Sequence, residues 1–194
     1  MQKQHTDLYR KLLLRRQLLP HVGVGAAYLP FIGDGDIASE LYGGGRHLYG
    51  ADIDRARVAV ARQRLGGEIV VADCNGWPFP GLKEPFALAD FDAYSEPYPA
   101  FRAFWAEAVK AATLVLFLTD GHRQGIIRTG HWHQPDGSKE YLTSVTERRR
   151  RFNFYFQRYV RPWFDSFVAP WRATLVRFYL RGGMLYWGAV VKRG

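Results

Sequence analysis

The sequence predicts an α/β fold: one doubly wound, mostly parallel seven-stranded sheet that ends in a C-terminal antiparallel hairpin. Three observations predict it. Apolar, strand-like runs alternate with helix-like periodic segments from residue 26 to residue 119, the signature of a parallel sheet covered by helices. The run Thr113–Thr119 is apolar between its two threonines, which suits a strand buried on both faces. Two further apolar runs, Arg172–Arg181 and Met184–Lys192, are joined by Gly182-Gly183 and read as an antiparallel hairpin.

The elements follow in order. Residues 5–19 read as a leading helix that Pro20 ends. Ala26–Ile32 is a first strand, and a helix runs from Asp36 to Leu41 until Gly43-Gly44-Gly45. His47–Asp52 is a second strand. Residues 54–65 form a helix with Val58, Ala61 and Leu65 on one face and arginines outside; Asp54 reads as its cap. Glu68–Ala72 is a third strand, residues 75–81 a loop of turn formers, and Phe86–Phe91 a fourth strand. A helix over 98–111 precedes the fifth strand. Residues 121–138 read as loop and 139–167 as helix with a break at Pro162. The chain reads as a single domain over 1–194, with a leading helix over 1–20 and a loop and basic-aromatic helical insertion over 121–170.

Hydrophobic content of 47% and charged content of 23% are ordinary for a folded soluble chain of 194 residues. No apolar run approaches a membrane span, and the amino terminus lacks the apolar core of a secretory signal, so a cytoplasmic protein is expected. Cys74 is the single cysteine, which excludes an internal disulfide and cysteine-rich zinc sites; it reads as a small core residue. The net charge of +9, mostly from arginine, is either the footprint of nucleic-acid binding or a codon bias toward arginine.

Four acids stand where predicted strands end: Asp34, Asp52, Asp73 and Asp92, about twenty residues apart. In an open parallel sheet, ligands bind in the crevice beyond the carboxyl ends of the strands. Gly33-x-Gly35 lets the backbone approach a ligand where a Cβ would clash. Asp34 and Asp36 place negative charge where a dinucleotide would put its pyrophosphate, which disfavours that class of cofactor.

Five parallel strands followed by a terminal hairpin resemble the Rossmann-like layout of class I S-adenosylmethionine-dependent methyltransferases. Leu29-Pro30-Phe31-Ile32-Gly33-Asp34-Gly35 is similar to the Asp-Pro-Phe-x-Gly-x-Gly opening of amino-group DNA and RNA methyltransferases, with Leu29 in place of the acid. The resemblance implies S-adenosylmethionine as cofactor. Its contacts would fall on Phe31, Gly33, Asp34, Gly35 and Asp36, on Asp52 and Ile53, on Asp73 and Cys74, and on Asp90. Asp52 would accept from the ribose hydroxyls and Asp73 from the adenine amino group.

Asp90-Phe91-Asp92-Ala93-Tyr94-Ser95-Glu96-Pro97, with Thr119-Asp120 one strand later, resembles a signature of tRNA guanine-N2 methyltransferases; Ala93 and Ser95 replace its proline and glycine. Ser95-Glu96-Pro97-Tyr98 is also similar to the Asn/Asp/Ser-Pro-Pro-Tyr motif of adenine-N6 and cytosine-N4 methyltransferases. Both imply methyl transfer to an exocyclic amine of a base, RNA (tRNA) somewhat favoured over DNA. Asp92, or second Asp90, would accept an amine N–H, and Tyr94 or Tyr98 would stack on the base. The alternatives are a methyltransferase-like nucleic-acid-binding or scaffold protein without catalysis, and a methyltransferase for a small molecule or protein.

In residues 147–164 arginines interleave with aromatics. Arg148, Arg149, Arg150 and Arg151 are the candidate phosphate contacts, against the plainer reading of a solvated helix face or a docking surface for another protein. His131 and His133 flank Trp132, but with no evident third ligand no metal is expected. A homodimer or a partner subunit for target recognition is a further expectation.

Overall fold

The computed structural model describes residues 7–43 and 45–194. Helix α1 (Leu8–Leu18) starts at Asp7, whose side chain accepts from the Arg10 backbone N–H; residues 5 and 6 of the expected helix lie outside the described residues. Then come β1 (Ala26–Pro30), α2 (Asp36–Leu41), β2 (Leu48–Asp52), α3 (Arg55–Arg64), β3 (Glu68–Val71), β4 (Phe86–Phe91), α4 (Tyr98–Glu107) and β5 (Lys110–Asp120). The strand order is β3-β2-β1-β4-β5, all parallel. After the insertion, β8 (Arg172–Arg181) and β9 (Met184–Lys192) complete a seven-stranded sheet, with β9 antiparallel to both β5 and β8.

Each face of the sheet is covered. On one, Leu14 and Leu18 of α1, Ala38 of α2, and Val58 and Ala61 of α3 with Leu65 just beyond it pack on Leu29, Leu48, Leu88, Val115 and Phe117. On the other, Phe101 and Phe104 of α4 with Tyr155, Phe156 and Phe164 pack on Phe91, Leu116, Leu118 and Trp187. Leu14 and Leu18 are essentially fully buried, and each contributes about 1.5–3 kcal/mol to docking α1 against the sheet. The expected face of α3 is the buried one, and Asp54 caps that helix by accepting from Ala56 and Arg57 N–H.

The differences lie after residue 107. The fourth helix ends at Glu107 rather than 111, because β5 starts earlier and pairs Lys110 with Phe86. Residues 121–138 are not all loop: α5 (Arg123–Arg128) is followed by β6 (His131–His133), which pairs with β7 (Lys139–Tyr141). Three-residue strands are too short to show a period. Helix α6 (Val145–Asn153) starts at Ser144, which accepts from the Glu147 N–H, so the helix begins six residues later than expected. Pro162 starts a helix instead of breaking one. It lies in the first turn of α7 (Arg161–Phe167), directly after a π-helical turn over Tyr155–Val160. Among the described residues, no helix is long and apolar enough to cross a membrane.

Candidate active site at the carboxyl edge of the sheet

The chain runs from β1 outward to β2 and β3, then crosses back to β4 on the other side of β1. This reversal opens a crevice between the carboxyl ends of β1 and β4. The loop leaving β1 borders it. Phe31 has φ +60°, Gly33 φ +56° and Gly35 φ +80°. Phe31, which carries a side chain, is thus held in a costly left-handed conformation, the kind of strain that clusters at ligand sites. Gly35, at the N-cap of α2, is left-handed, a conformation that favours glycine over any residue with a Cβ.

Asp52 closes the loop from the end of β2. One of its oxygens accepts from the Gly33 N–H at 3.0 Å, the other from the Asp54 N–H at 2.9 Å. Ile53 beside it is 74% exposed. Asp73 accepts from the Asn75 N–H and otherwise faces solvent. The Cys74 side chain is buried; it takes the Phe31 N–H at 3.3 Å and donates to the Ala51 carbonyl. Burial pushes its thiol up to about 11, against the opposing pull of the Phe31 N–H. It therefore braces the loop as a core residue and does not present its sulfur to a ligand. Asp34 is exposed, whereas Asp36 pairs with Arg64, and Arg57 Nη1 would stand 3.8 Å from a Cβ on Gly33. The loop's charge is thus partly balanced by arginines of α3.

The acids of β4 are arranged differently from expectation. Asp90 is 4% exposed. It accepts from Arg15 Nε and Nη2, both at 2.6 Å, and from the Tyr42 hydroxyl at 2.6 Å. It pins α1 and α2 to the sheet and is closed to a substrate. Asp92, one pleat further out, is 21% exposed. It accepts from the Thr119 hydroxyl at 2.6 Å and from Lys11 Nζ at 2.6 and 2.8 Å, with Arg15 Nη2 at 3.7 Å. Burial works against the charge on Arg15, but the Asp90 carboxylate outweighs it and the guanidinium stays ionised. Burial likewise pushes Asp92 up, but Arg15 and Lys11 overcome this and hold its carboxyl below the usual value.

The two tyrosines separate. Tyr94 is 90% exposed at the edge. Tyr98 is fully buried against Trp163, with its hydroxyl donating to Asp120, so its ring is unavailable for stacking on a base. Tyr155 donates to the same Asp120 carboxylate at 2.8 Å, and burial raises the Asp120 pKa.

The four arginines do not act as one patch. Arg148 Nε donates to the Leu142 carbonyl at 2.6 Å. Arg151 bonds Glu140 and Glu147 and lies over the Trp132 and Tyr159 rings, a structural placement. Arg150 pairs with Glu147 on the surface and Arg149 is exposed. Of the histidine pair, His131 packs on Tyr141, while His133 meets His122 and Glu96. Two recesses of about 370 and 610 Å³ lie elsewhere, where β3 and β2 begin.

The low pKa of Asp92 has a measurable consequence. Folded Asp92 binds its proton less readily than the unfolded group, whose value is near 3.8. Its stabilisation is complete above that value and is lost as pH falls through the lower folded one. Urea midpoints are expected to drop below about pH 4, and Lys11→Met is expected to show a smaller drop. Equal pH dependence in the two proteins would show that the Lys11–Asp92 contact does not set it.

No protein-family model matches the sequence, and no curated protein matches it significantly. Solved structures do. The chain is similar to an S-adenosylmethionine-dependent methyltransferase from Mesorhizobium loti (16% identity, 90% of this chain and 94% of that one covered, TM-score 0.57). A methyltransferase of the same kind from Clostridium acetobutylicum aligns at 10% identity (96% and 92% covered, TM-score 0.53). The tRNA (uracil-54, C5)-methyltransferase of Pyrococcus abyssi, solved with S-adenosyl-L-homocysteine, aligns at 14% identity over 94% of this chain but 38% of its own (TM-score 0.52). The fold is that of the class I S-adenosylmethionine-dependent methyltransferases.

Proposed function

We propose that this chain is an S-adenosylmethionine-dependent methyltransferase that acts on an exocyclic amine of a nucleic-acid base, with RNA favoured over DNA. The observation that carries the reading is the Asp52 carboxylate bound to the glycine loop at the crevice between β1 and β4. Each of its oxygens uses one lone pair within the protein and keeps another for a ribose hydroxyl. The exposed Ile53 beside it offers an apolar face to an adenine ring. The left-handed Gly33 and Gly35 leave room for the ligand, so the residues present fit the cofactor. Asp34 is the exposed loop acid for a methionine ammonium, and Asp73 the acceptor for the adenine amino group.

When bound, S-adenosylmethionine supplies an activated methyl group on its sulfonium sulfur. The chain's own residues would position the acceptor. Asp92, just past the end of β4, is more exposed than Asp90 and has lone-pair capacity beyond its bonds to Lys11 and Thr119. Accepting an N–H of the base amine would localise the nitrogen lone pair toward the methyl group. Its lowered pKa makes it a hydrogen-bond acceptor and a weak base, so the amine proton would leave to solvent after transfer. The exposed Tyr94 ring would cover the base, and Arg149 and Arg150 would meet phosphates. A base within a duplex would first have to be flipped out.

Asp52→Ala is expected to weaken S-adenosylmethionine binding by about 10-fold or more, as two hydrogen bonds to an ionised group are lost. Calorimetry of the two proteins checks this, and equal affinity would remove Asp52 from the site. One observation favours a second reading: the engagement of Asp92 by Lys11 and Thr119 within the protein suits a nucleic-acid-binding scaffold without catalysis. That reading predicts salt-sensitive RNA binding with no cofactor binding.

A further inference from the structure

We propose that Glu96, His122 and His133 form a binding site for one divalent metal ion of the zinc type beyond the carboxyl ends of β4 and β5. The three residues come from separate elements: the turn after β4, the turn after β5, and β6. His122 Nε2 lies 3.4 Å and His133 Nδ1 3.8 Å from the same oxygen, Glu96 Oε2, and one ligand atom from each residue lies within 4.8 Å of the other two. Zinc binds imidazole nitrogen and carboxylate oxygen at about 2.0–2.2 Å, which at tetrahedral angles places ligand atoms about 3.4 Å apart. Two edges of the triangle are thus already near the length a shared cation needs. The third closes by rotation of His133, whose side chain is 38% exposed.

The backbone under the site is braced. The Gly121 N–H donates to the Ser95 carbonyl at 2.8 Å, and a Cβ on Gly121 would stand 2.9 Å from the Tyr94 carbonyl. Asp120 accepts from the His122 N–H at 2.7 Å. Pairing of His133 with Lys139 fixes β6. Two imidazoles and one carboxylate carry a single negative charge and mixed N/O ligands, a set that suits zinc, cobalt or nickel over magnesium or calcium. Three protein ligands leave a position for water or for an oxygen of a bound ligand. Methyl transfer itself needs no such ion, so the site is independent of the reaction proposed above.

The competing account is a plain ion pair between Glu96 and protonated histidine. The full-length protein, stripped with chelator and dialysed, is titrated with Zn²⁺, Co²⁺ and Mg²⁺ by calorimetry, and bound metal is counted by elemental analysis. The expected result is one Zn²⁺ per chain, weaker Co²⁺ binding with the visible spectrum of a four-coordinate site, and no Mg²⁺ binding. Glu96→Gln and His122→Ala are expected to lose about 100-fold or more in Zn²⁺ affinity, while His131→Ala keeps it. Thermal unfolding of the metal-free variants verifies folding; should His122→Ala not fold, His133→Ala replaces it. Absence of stoichiometric Zn²⁺ binding, or binding that survives Glu96→Gln and either histidine variant, would overturn the site.

Discussion

Arg15→Ala is expected to cost about 3–5 kcal/mol of stability, the usual penalty for leaving a buried charge without its partner. Asp90 would lose both guanidinium bonds and keep only the Tyr42 hydroxyl, in a place 4% exposed to water. For a domain of this size the melting temperature should fall by about 6–20 °C. Much of the loss is a charge penalty, so Arg15→Met combined with Asp90→Asn should recover part of it. A loss under about 1 kcal/mol in the single variant would mean that water reaches Asp90 and the pair does not secure α1.

Asp92→Ala is expected to lower methyl transfer by about 100-fold, the order of loss when a reacting group is no longer held in place, while S-adenosylmethionine affinity stays near wild type. Truncation also leaves Lys11 and the Thr119 hydroxyl short of an acceptor. Asp92→Asn therefore accompanies it: the amide keeps an acceptor for either donor but carries no charge. Single-turnover kinetics in both variants, with calorimetry for the cofactor, separate the two effects. Unchanged turnover in Asp92→Ala would remove this acid from the reaction and leave the fold and cofactor site standing.

The parallel half of the sheet was legible because β1, β2 and β4 are buried almost throughout and an acid or a glycine stands at or within three residues of each strand end. Phe86–Phe91, Arg172–Arg181 and Met184–Lys192 have the expected bounds. The insertion was not, since β6 and β7 are three residues each and the π-helical turn before Pro162 shifts the helical register. The Ser144-x-x-Glu147 pattern is the signal that places the start of α6. In the site, the glycine loop and Asp52, 19 residues apart, are joined by the Gly33 N–H. What spacing could not show is pairing across long separations. Arg15 and Lys11 of the leading helix reach acids 75 and 81 residues away. The burial of Tyr98 follows from Trp163 and Asp120, both distant in sequence. Likewise Glu96 and His122 are brought together by the pairing of β4 with β5, and His133 reaches them from β6.

The most direct test is transfer of a labelled methyl group from S-adenosylmethionine to total RNA, DNA and protein, followed by nucleoside mass spectrometry, with Asp52→Ala in parallel. The account predicts label in nucleic acid, chiefly RNA, on an exocyclic base nitrogen, and much less with the variant at limiting cofactor. Label in protein or small molecules alone would contradict the base-amine assignment, and no label together with no cofactor binding would contradict the enzyme.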